Sequence, residues 1–486
     1  MRRRIFVTRA AAGAAVLAAS TSCGQGNPAV ALAVAAQTAF PPALLRSDLA
    51  YLVETLNDVC VYPYTALSQA AFETERRRLE SSLQMPLDPF AFALRVAPLF
   101  ATLNDGHIDV WISDLMQALV QRGGRFFPLA VYLTEDGAFS SGSAAFGIPD
   151  GSRLVSIDAI AMDSLAQQIV SCTPGPSLAA RRLAASGPLG IGPFIRARFG
   201  ARHAFDVRYE RADTGRLERS TVRARTFAEI SAVAGRKHPN VDYRYLTLAQ
   251  GTVGYIEYLH CRDLDRFRTF LHQTFTKIKA SKPRALIIDI RRNGGGERDL
   301  NDELWRYVAE KPFSQGERVS VRLLPPDALL GLGPIFSHLS GDLGTWSPDG
   351  TVLTRKLNGS TVMPQPNPLR FHGPTYLLVA PTTFYTTSSC ALVAKDYKLA
   401  TLVGEAMDEP LDANGRTAIF HAPYTRLTAR FPRAYFYSAK PHPAGACVQP
   451  DVTIKTTAAD VRAGRDPVLA YVLAQITRGQ SQDRPA

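Results

Sequence analysis

At 486 residues the chain is too long for one ordinary hydrophobic core, and we expect two or three domains. Hydrophobic residues make up 46% of the sequence and charged residues 20%, a balance typical of globular rather than disordered proteins. The formal net charge is +12, but the basic residues are scattered among acids and form no stripe interleaved with aromatic residues. Nucleic acid is therefore not an expected partner.

The first 23 residues have the composition of an export signal. They combine a basic start, a short alanine-rich apolar stretch and small residues ahead of Cys23. Residues 3–7 also resemble a twin-arginine signal, and Cys23 is a candidate for a lipid tether. The apolar stretch is too short to favour a transmembrane helix. The sequence predicts an exported protein, periplasmic or anchored as a lipoprotein, in which residues 1–36 are the signal or lipoprotein segment and a linker.

The next part, residues 37–120, is predicted to form a helical domain. Apolar residues recur at helical spacing between residues 44 and 103. This pattern ends at the sequence Asn-Asp-Gly-His of residues 104–107, which predicts a turn. A lone histidine in a turn is usually structural, so the turn by itself assigns no function to His107.

Residues 121–235 have the pattern of a β-rich domain. The segment 148–158 followed by a helical stretch at 159–170 resembles the core of a PDZ domain, with Asp158-Ala159 in place of the usual Asn/Asp-Gly. PDZ domains bind peptide ends by adding a strand to a sheet edge. The alternative is a generic β-domain that only spaces its neighbours.

The stretch most suggestive of chemistry is residues 283–300. Residues 285–290 are apolar apart from Asp289 and predict a buried strand, a run of glycines then interrupts it, and residues 300–308 resume with helical spacing. Glycines allow successive N–H groups to point at one spot and stabilise a developing negative charge. The loop contains neither GxxxxGK[ST] nor GxGxxG, so it is not a common phosphate-binding loop. A plain glycine-rich turn is the alternative.

The strand and loop LIIDIRRNGGG resemble the signature of peptidase family S41, the tail-specific and tricorn-like serine peptidases. The Asp-Gly-His of residues 105–107 matches an element of the tricorn-like branch. Other blocks match the family in the right order, at residues 254–258, 376–379, 402–405 and 448–452.

The resemblance implies an α/β fold. We expect a crotonase/ClpP-like S41 catalytic core at residues 241–475, preceded by the N-terminal helical domain and the PDZ-like β-rich domain. Residues 476–486 are expected to be a disordered tail.

The resemblance also indicates the general base. The tail-specific branch uses a lysine just beyond the Gly-Glu block, but no lysine lies between Lys398 and Lys440, which disfavours a Ser–Lys dyad. The tricorn-like branch uses the histidine of Asp-Gly-His, and His107 occupies that match. A neutral imidazole is a suitable base near pH 7.

The nucleophile is ambiguous. Ser388 and Ser389 lie where a helix beginning near Cys390 could follow a buried strand at residues 375–379, and Ser388 is the preferred nucleophile. An ungapped match to the family places Tyr385 at that position instead, but a phenol with a pKa near 10 is a poor nucleophile. Either a shifted or shortened helix brings Ser388 forward, or the serine has been lost.

The predicted function is therefore that of an exported serine endopeptidase acting on protein or peptide substrates, with Ser388 as nucleophile and His107 as base. The expected oxyanion donors are the N–H groups of Gly294, Gly295 and Ser389. Asp408 and Glu409 are guesses for a third catalytic residue. The alternative is a catalytically inactive relative that binds peptides or small ligands. No cofactor is expected, and no metal, because the cysteines show no CxxC and no histidine at metal-ligand spacing.

Overall fold

The computed structural model describes residues 39–141, 143–187, 190–237, 241–322, 345–347, 350–357 and 361–482. The predicted export signal with Cys23, residues 323–344 and the last four residues lie outside these ranges. In the part of the chain that is described, none of the helices is long and apolar enough to cross a membrane.

The amino-terminal part of the described chain is helical. Its second and third helices begin at side-chain caps, where Ser68 accepts the N–H of Ala71 and Asp88 accepts the N–H of Ala91. The apolar faces of these helices pack into one core. The elements are α1 (Pro42–Val59), α2 (Gln69–Ser82), α3 (Pro89–Ala101), β1 (Asp109–Trp111) and α4 (Ser113–Gln121).

The following part is an antiparallel sheet with strand order β3-β4-β5-β7-β8, in which β6 pairs with β5. Asp158 and Ala159, with φ of 47° and 64°, make the two-residue turn between β5 and β6, the backbone for which Asn-Gly is usually chosen. Its strands are β2 (Arg125–Phe126), β3 (Val131–Thr134), β4 (Gly137–Ser140), β5 (Arg153–Ile157), β6 (Ile160–Ala161), β7 (Ala204–Glu210), β8 (Leu217–Arg223) and β9 (Arg225–Thr226). Its helices are α5 (Met162–Cys172), α6 (Leu178–Ala184), α7 (Gly192–Phe199) and α8 (Phe227–Lys237).

The carboxyl-terminal part is built on a sheet of order β10-β11-β12-β18-β19-β22, parallel except for β10. Its strands are β10 (Tyr243–Leu248), β11 (Val253–Tyr258), β12 (Ala285–Asp289), β18 (Thr375–Val379), β19 (Thr401–Gly404) and β22 (Val452–Thr453). Its helices are α9 (Leu264–Ser281), α10 (Asp299–Trp305), α11 (Thr386–Asp396), α12 (Ala458–Ala463) and α13 (Pro467–Gln482).

Strand β12 is the buried strand that the apolar run predicted, and all five of its residues are buried. Since side chains alternate across a strand, Leu286 and Ile288 pack with helices α9, α10 and α11, while Ile287 packs with α13 on the other face. Both faces of the sheet are covered, as expected for parallel strands.

A third large sheet pairs a strand of the amino-terminal part with strands of the carboxyl-terminal part. It has the order β1-β21-β14-β16-β15, with β20 beside β21, and its pairs are antiparallel. Because β1 pairs with β21, the turn that carries His107 is placed against the carboxyl-terminal part. The remaining strands are β13 (Phe313–Ser314), β14 (Arg318–Arg322), β15 (Thr345–Trp346), β16 (Val352–Lys356), β17 (Thr361–Val362), β20 (Ala413–His421) and β21 (Thr428–Tyr437).

Two expected boundaries differ from the structure. Helix α11 begins at Thr386, four residues before the expected start near Cys390, because the Thr/Ser cluster forms its first turn instead of preceding it. Residues 476–482 are not a disordered tail. They continue helix α13, whose residues Val468 and Val472 are fully buried against the sheet.

Candidate active site

The glycine loop, residues 291–296, joins strand β12 to helix α10. Asn293 is fully buried, and its Oδ1 accepts the N–H of Gly295 at 2.9 Å while its Nδ2 donates to the Tyr258 carbonyl at 3.2 Å. Gly295 has φ of +95°, and a Cβ there would lie 2.9 Å from the Cβ of Tyr385. The loop therefore needs glycine both for its backbone conformation and for its close approach to Tyr385.

Threonine hydroxyls join this loop to the segment before helix α11. Thr382 Oγ1 donates to the Arg291 carbonyl at 2.7 Å, and Thr386 Oγ1 donates to the Gly296 carbonyl at 2.7 Å. Part of the Thr/Ser cluster thus donates to carbonyls of the irregular loop that have no partner in a strand or helix.

An ion cluster lies beneath the loop. The Arg291 guanidinium donates to both oxygens of Asp289 and to both oxygens of Asp466, over 2.6–2.9 Å. Tyr255 Oη adds a hydrogen bond of 2.7 Å to Asp289 Oδ2. Burial raises the pKa of Asp289, but the Arg291 charge and these hydrogen bonds dominate and lower that pKa to about 2. Every oxygen of these two carboxylates has a donor, so the cluster is structural.

Tyr385 occupies the N-cap position of helix α11 with φ of 58° and ψ of −124°, a strained conformation for a residue with a side chain. Its ring lies edge-on to the His107 imidazole, with the ring centroids 5.0 Å apart. On the other side, a Cβ at Gly415 would lie 2.7 Å from the Tyr385 ring. Burial raises the pKa of the phenol above its usual value.

His107 lies in the turn between helix α3 and strand β1, and only 7% of it is exposed. Asp105 Oδ1 accepts its backbone N–H at 2.7 Å and lies 3.1 Å from its Nδ1. Asp105 Oδ2 accepts a hydrogen bond of 2.8 Å from Asn414 Nδ2. Since the Asp105 carboxylate fixes the proton on Nδ1, the neutral ring has its lone pair on Nε2.

Phe384 covers the His107 ring, with the two ring centroids 4.6 Å apart. A Cβ at Gly106 would lie 2.6 Å from the Phe384 ring. This contact explains why glycine stands between Asp105 and His107. It also shows that His107 is packed in the interior and is not a free turn residue.

Glu409 lies between His107 and helix α11 and is 4% exposed. Its Oε2 accepts the Ser388 hydroxyl at 2.5 Å and also the backbone N–H of Tyr385. Its Oε1 lies 3.9 Å from His107 Nε2. Both of these facing atoms are buried and have no hydrogen-bond partner. Buried polar atoms without partners are rare, and a catalytic role is one physical explanation for such a pair of facing atoms.

The three ionisable groups shift one another. Burial raises the pKa of Glu409 to about 7, although the His107 charge and the Ser388 hydrogen bond lower it. Burial alone would lower the pKa of His107, but Asp105 and then Glu409 outweigh it and the pKa is raised. The pKa of Asp105 is lowered, because its hydrogen bonds and its attraction to His107 overcome the effect of burial. Glu409 can therefore take up and release a proton near neutral pH, beside an imidazole whose pKa is raised.

Of the sequence-predicted residues, Ser388 and His107 contact the same carboxylate, on its two different oxygens. Ser388 Oγ also lies 3.3 Å from the Thr383 carbonyl, and its side chain is buried. The Ser389 N–H already bonds to the Tyr385 carbonyl, at 3.4 Å, and the Gly295 N–H is held by Asn293. Gly294 is exposed at the tip of the glycine loop.

Sequence reasoning left three contributors outside the predicted site. In the sequence Asp105 stands out only as part of Asp-Gly-His, although its position two residues before His107 suits an Asx turn onto that residue. Glu409 was only a guess beside Asp408. Asn414 gave no signal, because it acts through Asp105 and lies on strand β20, far away in sequence.

A further contact involves helix α6 of the β-rich part. Ser177, its N-cap, donates to Asp408, which directly precedes Glu409. Arg181 donates to the Asn104 side chain, at 2.5 Å, and Asn104 directly precedes Asp105. One short helix thus contacts the residues next to both carboxylates that face His107.

No group of His, Cys, Asp and Glu side chains among the described residues could hold a metal ion. The five cysteines that the structure describes are free thiols.

Residues 252–452 match the sequence model of peptidase family S41, which confirms the resemblance predicted from the motifs. No curated protein sequence matches the chain.

Solved structures of CPAF share the fold. The structure of mature CPAF has a TM-score of 0.61 at 15% identity, covering 90% of this chain and 98% of that one. Mature CPAF complexed with lactacystin has a TM-score of 0.60 at 14% identity, covering 90% of this chain and all of that one. The photosystem II D1 C-terminal processing protease has a TM-score of 0.43 at 14% identity, with 87% of this chain and 98% of that one covered.

Proposed function

Because residues 252–452 match peptidase family S41, we propose that this protein is a peptide-bond hydrolase in which Ser388 is the nucleophile and His107 and Glu409 act together as its base. A match to a peptidase family implies protein or peptide substrates. One observation carries the assignment of residues. The Ser388 hydroxyl donates to Glu409 Oε2, and the remaining oxygen of that carboxylate faces His107 Nε2.

In the proposed first step, Ser388 Oγ attacks the carbonyl carbon of the scissile peptide bond, and its proton passes to Glu409. Glu409 holds this proton on Oε2 as a neutral carboxyl group, while His107, oriented by Asp105, faces Oε1 and sets the proton affinity of that carboxyl group. The proton then goes to the leaving nitrogen as the C–N bond breaks. Water hydrolyses the resulting ester by the reverse proton path, which restores Ser388.

The oxyanion of the tetrahedral intermediate needs N–H donors that are not already engaged. Gly294 remains a proposed donor because it lies at the open tip of the glycine loop. Since the N–H groups of Gly295 and Ser389 already have acceptors, we place the second donor at Thr386. Its N–H is at the first position of helix α11, where a helix leaves its donors without partners within the helix.

The alternative that experiment must exclude is a non-catalytic protein, and it is suggested by the position of Tyr385. Its strained N-cap backbone lies against the glycine loop and its ring against His107, while the side chain of Ser388 is 7% exposed. In this hypothesis the fold binds peptides without cleaving them, because a buried phenol with a raised pKa cannot replace a serine.

Labelling by a fluorophosphonate, followed by mass spectrometry of the modified peptide, separates the two functions. We expect a label on Ser388, hydrolysis of denatured casein by the wild-type protein, and a loss of several orders of magnitude in Ser388→Ala. Tyr385→Phe is the matched control and should change hydrolysis little. If the wild-type protein takes up no label and cleaves no peptide while it still binds peptides, the non-catalytic function is correct.

Export is part of the proposal and rests on the basic start and alanine-rich core of residues 1–23. The mature protein is then periplasmic or tethered through a lipid on Cys23. Intact-mass analysis of protein purified from its native cells should show removal of the signal before or near Cys23. A cytosolic protein that retains Met1 would contradict this.

We also propose that the β-rich part is a PDZ-like peptide-binding domain. Support comes from the Asp158-Ala159 turn, which adopts the backbone expected of the usual Asn/Asp-Gly. Chemical-shift mapping with a peptide should perturb residues along one edge of the sheet β3-β4-β5-β7-β8. Shifts confined to other surfaces would leave this part as a spacer.

A further inference from the structure

A pocket of about 710 Å³ lies beside the candidate site, and neither the proposed mechanism nor the family match gives it a role. It is formed where the end of helix α1 and the segment after it meet strands β14 and β21. Four tyrosines and one arginine dominate its wall, namely Tyr62, Tyr64, Tyr435, Tyr437 and Arg322. Its size is that of a typical small-ligand site.

Three of these tyrosines, Tyr62, Tyr435 and Tyr437, form a continuous aromatic surface. Tyr62 meets Tyr435 edge-on with the ring centroids 4.9 Å apart, and Tyr435 meets Tyr437 in the same way at 5.1 Å. Tyr62 is nevertheless 40% exposed. Edge-to-face contacts hold the rings in place. The Arg318 guanidinium lies over the Tyr437 ring, 4.7 Å from its centroid, so exposed Tyr62 offers the ring surface for a further apolar or aromatic group.

Arg322 places a positive charge in this wall. Its Nε donates to the Cys60 carbonyl at 3.1 Å and its Nη2 to the Val61 carbonyl at 3.4 Å. Its Nη1 also donates to Thr351 Oγ1 at 3.4 Å. All three acceptors are neutral, and among the described residues no carboxylate forms an ion pair with Arg322. A guanidinium has five donors in a fork that fits a carboxylate. Backbone carbonyls therefore hold Arg322 in position without neutralising it.

The pocket is connected to the base through one side chain. Asn414 Nδ2 donates to the Tyr62 carbonyl at 3.1 Å and to Asp105 Oδ2 at 2.8 Å. Asp105 in turn orients His107. Asn414 therefore links the backbone at the wall of the pocket to the carboxylate that orients His107.

We propose that this pocket binds a carboxylate-bearing segment of a peptide, with the carboxylate on Arg322 and an adjoining aromatic or large apolar residue among the tyrosines. The proposal names the class of substrate that the candidate active site would cleave. Binding in the pocket does not depend on the proposed function, and only the cleavage that follows binding rests on it. The carboxylate is either a peptide C-terminus or the side chain of Asp or Glu.

The ligand side of the test uses three probe peptides and isothermal titration calorimetry, with mass spectrometry to verify that each probe stays intact. Acetyl-Ala-Ala-Phe with a free C-terminus and acetyl-Ala-Glu-Phe-amide each carry one carboxylate, whereas acetyl-Ala-Ala-Phe-amide carries none. We expect the neutral amide to bind about tenfold more weakly than at least one of the acids. Preference for the first acid identifies a C-terminus, and preference for the second identifies an acidic side chain. Equal affinity for all three overturns the proposal.

The protein side uses Arg322→Met, which should reduce the affinity for the preferred acid to that for the neutral amide. Arg268→Met, which removes an exposed arginine on helix α9, is the control and should bind as the wild type does. If Arg322→Met fails to fold, Tyr62→Ala replaces it, since Tyr62 is exposed and its loss should weaken binding of all three probes. Unchanged binding in the folded variant contradicts the proposal. These measurements need no hydrolysis, so a non-catalytic protein can still support the inference, and an active one can contradict it.

Discussion

Asp289 and Glu409 are equally buried carboxylates, 5% and 4% exposed, on either side of the segment that leads into helix α11. Asp289 has donors on both oxygens and faces an arginine that is always charged, and its pKa is lowered to about 2. Glu409 has one oxygen without a donor and faces an imidazole that can lose its charge, and its pKa is raised to about 7. Burial alone does not distinguish a structural carboxylate from a reactive one. The partner does.

The two carboxylates contribute to stability with opposite pH dependence. Because the folded-state pKa of Asp289 is depressed, its contribution is present above its ordinary pKa of 3.8 and is lost as the pH falls toward about 2. Because the folded-state pKa of Glu409 is raised, its contribution is present below its ordinary pKa of 4.5 and is lost as the pH rises through about 7. The candidate site thus has a stability cost at the pH at which Glu409 can act as a base.

The largest expected effect tests the reactive side of this comparison. His107→Ala should reduce peptide hydrolysis by about 10²- to 10⁴-fold, since that is the usual contribution of a general base. His107 is buried against Phe384, so His107→Phe is the better variant, because it keeps a ring in that contact and removes the base. Hydrolysis is measured on protein whose circular dichroism is native. Wild-type activity in the folded variant would remove His107 from the mechanism.

Arg291→Met tests the structural side. It leaves Asp289 and Asp466 buried without a cation, and we expect a loss of about 3–5 kcal/mol in the free energy of unfolding by urea. Arg219→Met is the control, since the ion pair of Arg219 with Asp206 is exposed, and it should change the free energy of unfolding little. Equal losses in the two variants would show that the ion cluster is no more important than a surface pair.

Glu409→Gln gives the sharpest contrast in pH dependence. Glutamine keeps an acceptor for the Ser388 hydroxyl but has no charge to bury, so above pH 7 the variant should be more stable than the wild type, on the order of 2–3 kcal/mol at pH 8. The difference should vanish near pH 4. The wild-type kcat/KM should also rise with pH through about 7, and this rise should be absent in the variant. Parallel stability curves for the two proteins would contradict the raised pKa.

The smallest expected effect concerns Tyr385. Tyr385→Phe removes a hydroxyl that the proposed mechanism does not use. The free energy of unfolding should therefore change by about 1 kcal/mol or less, and kcat/KM by less than about tenfold. Urea unfolding and casein hydrolysis check this. A loss of hydrolysis comparable to that of Ser388→Ala would make the phenol part of the reaction.

The sequence predicted strand β12, the glycine loop and the turn of His107 because each depends on a local pattern. An apolar run, successive glycines and Asp-Gly-His are all visible within a few residues. Local patterns did not predict the start of helix α11. The Thr/Ser cluster has the composition of a segment that precedes a helix, but from Thr386 onward it forms the first turn of that helix. They also could not place Glu409 opposite His107, because that contact depends on the pairing of β1 with β21 across the chain.

The contacts of helix α6 have a consequence for the order of folding. Ser177 meets Asp408 across 231 residues, and Asp105 meets Asn414 across 309 residues. Contacts over such separations form late, since long loops must close first. A chain still being synthesised, or a fragment that ends between residues 300 and 408, has the turn of His107 and the glycine loop but neither Glu409 nor the strand that holds Asp105 in place. The groups of the candidate site are therefore assembled only when the last third of the chain has folded onto the first, so the proposed hydrolysis cannot begin until the molecule is nearly complete.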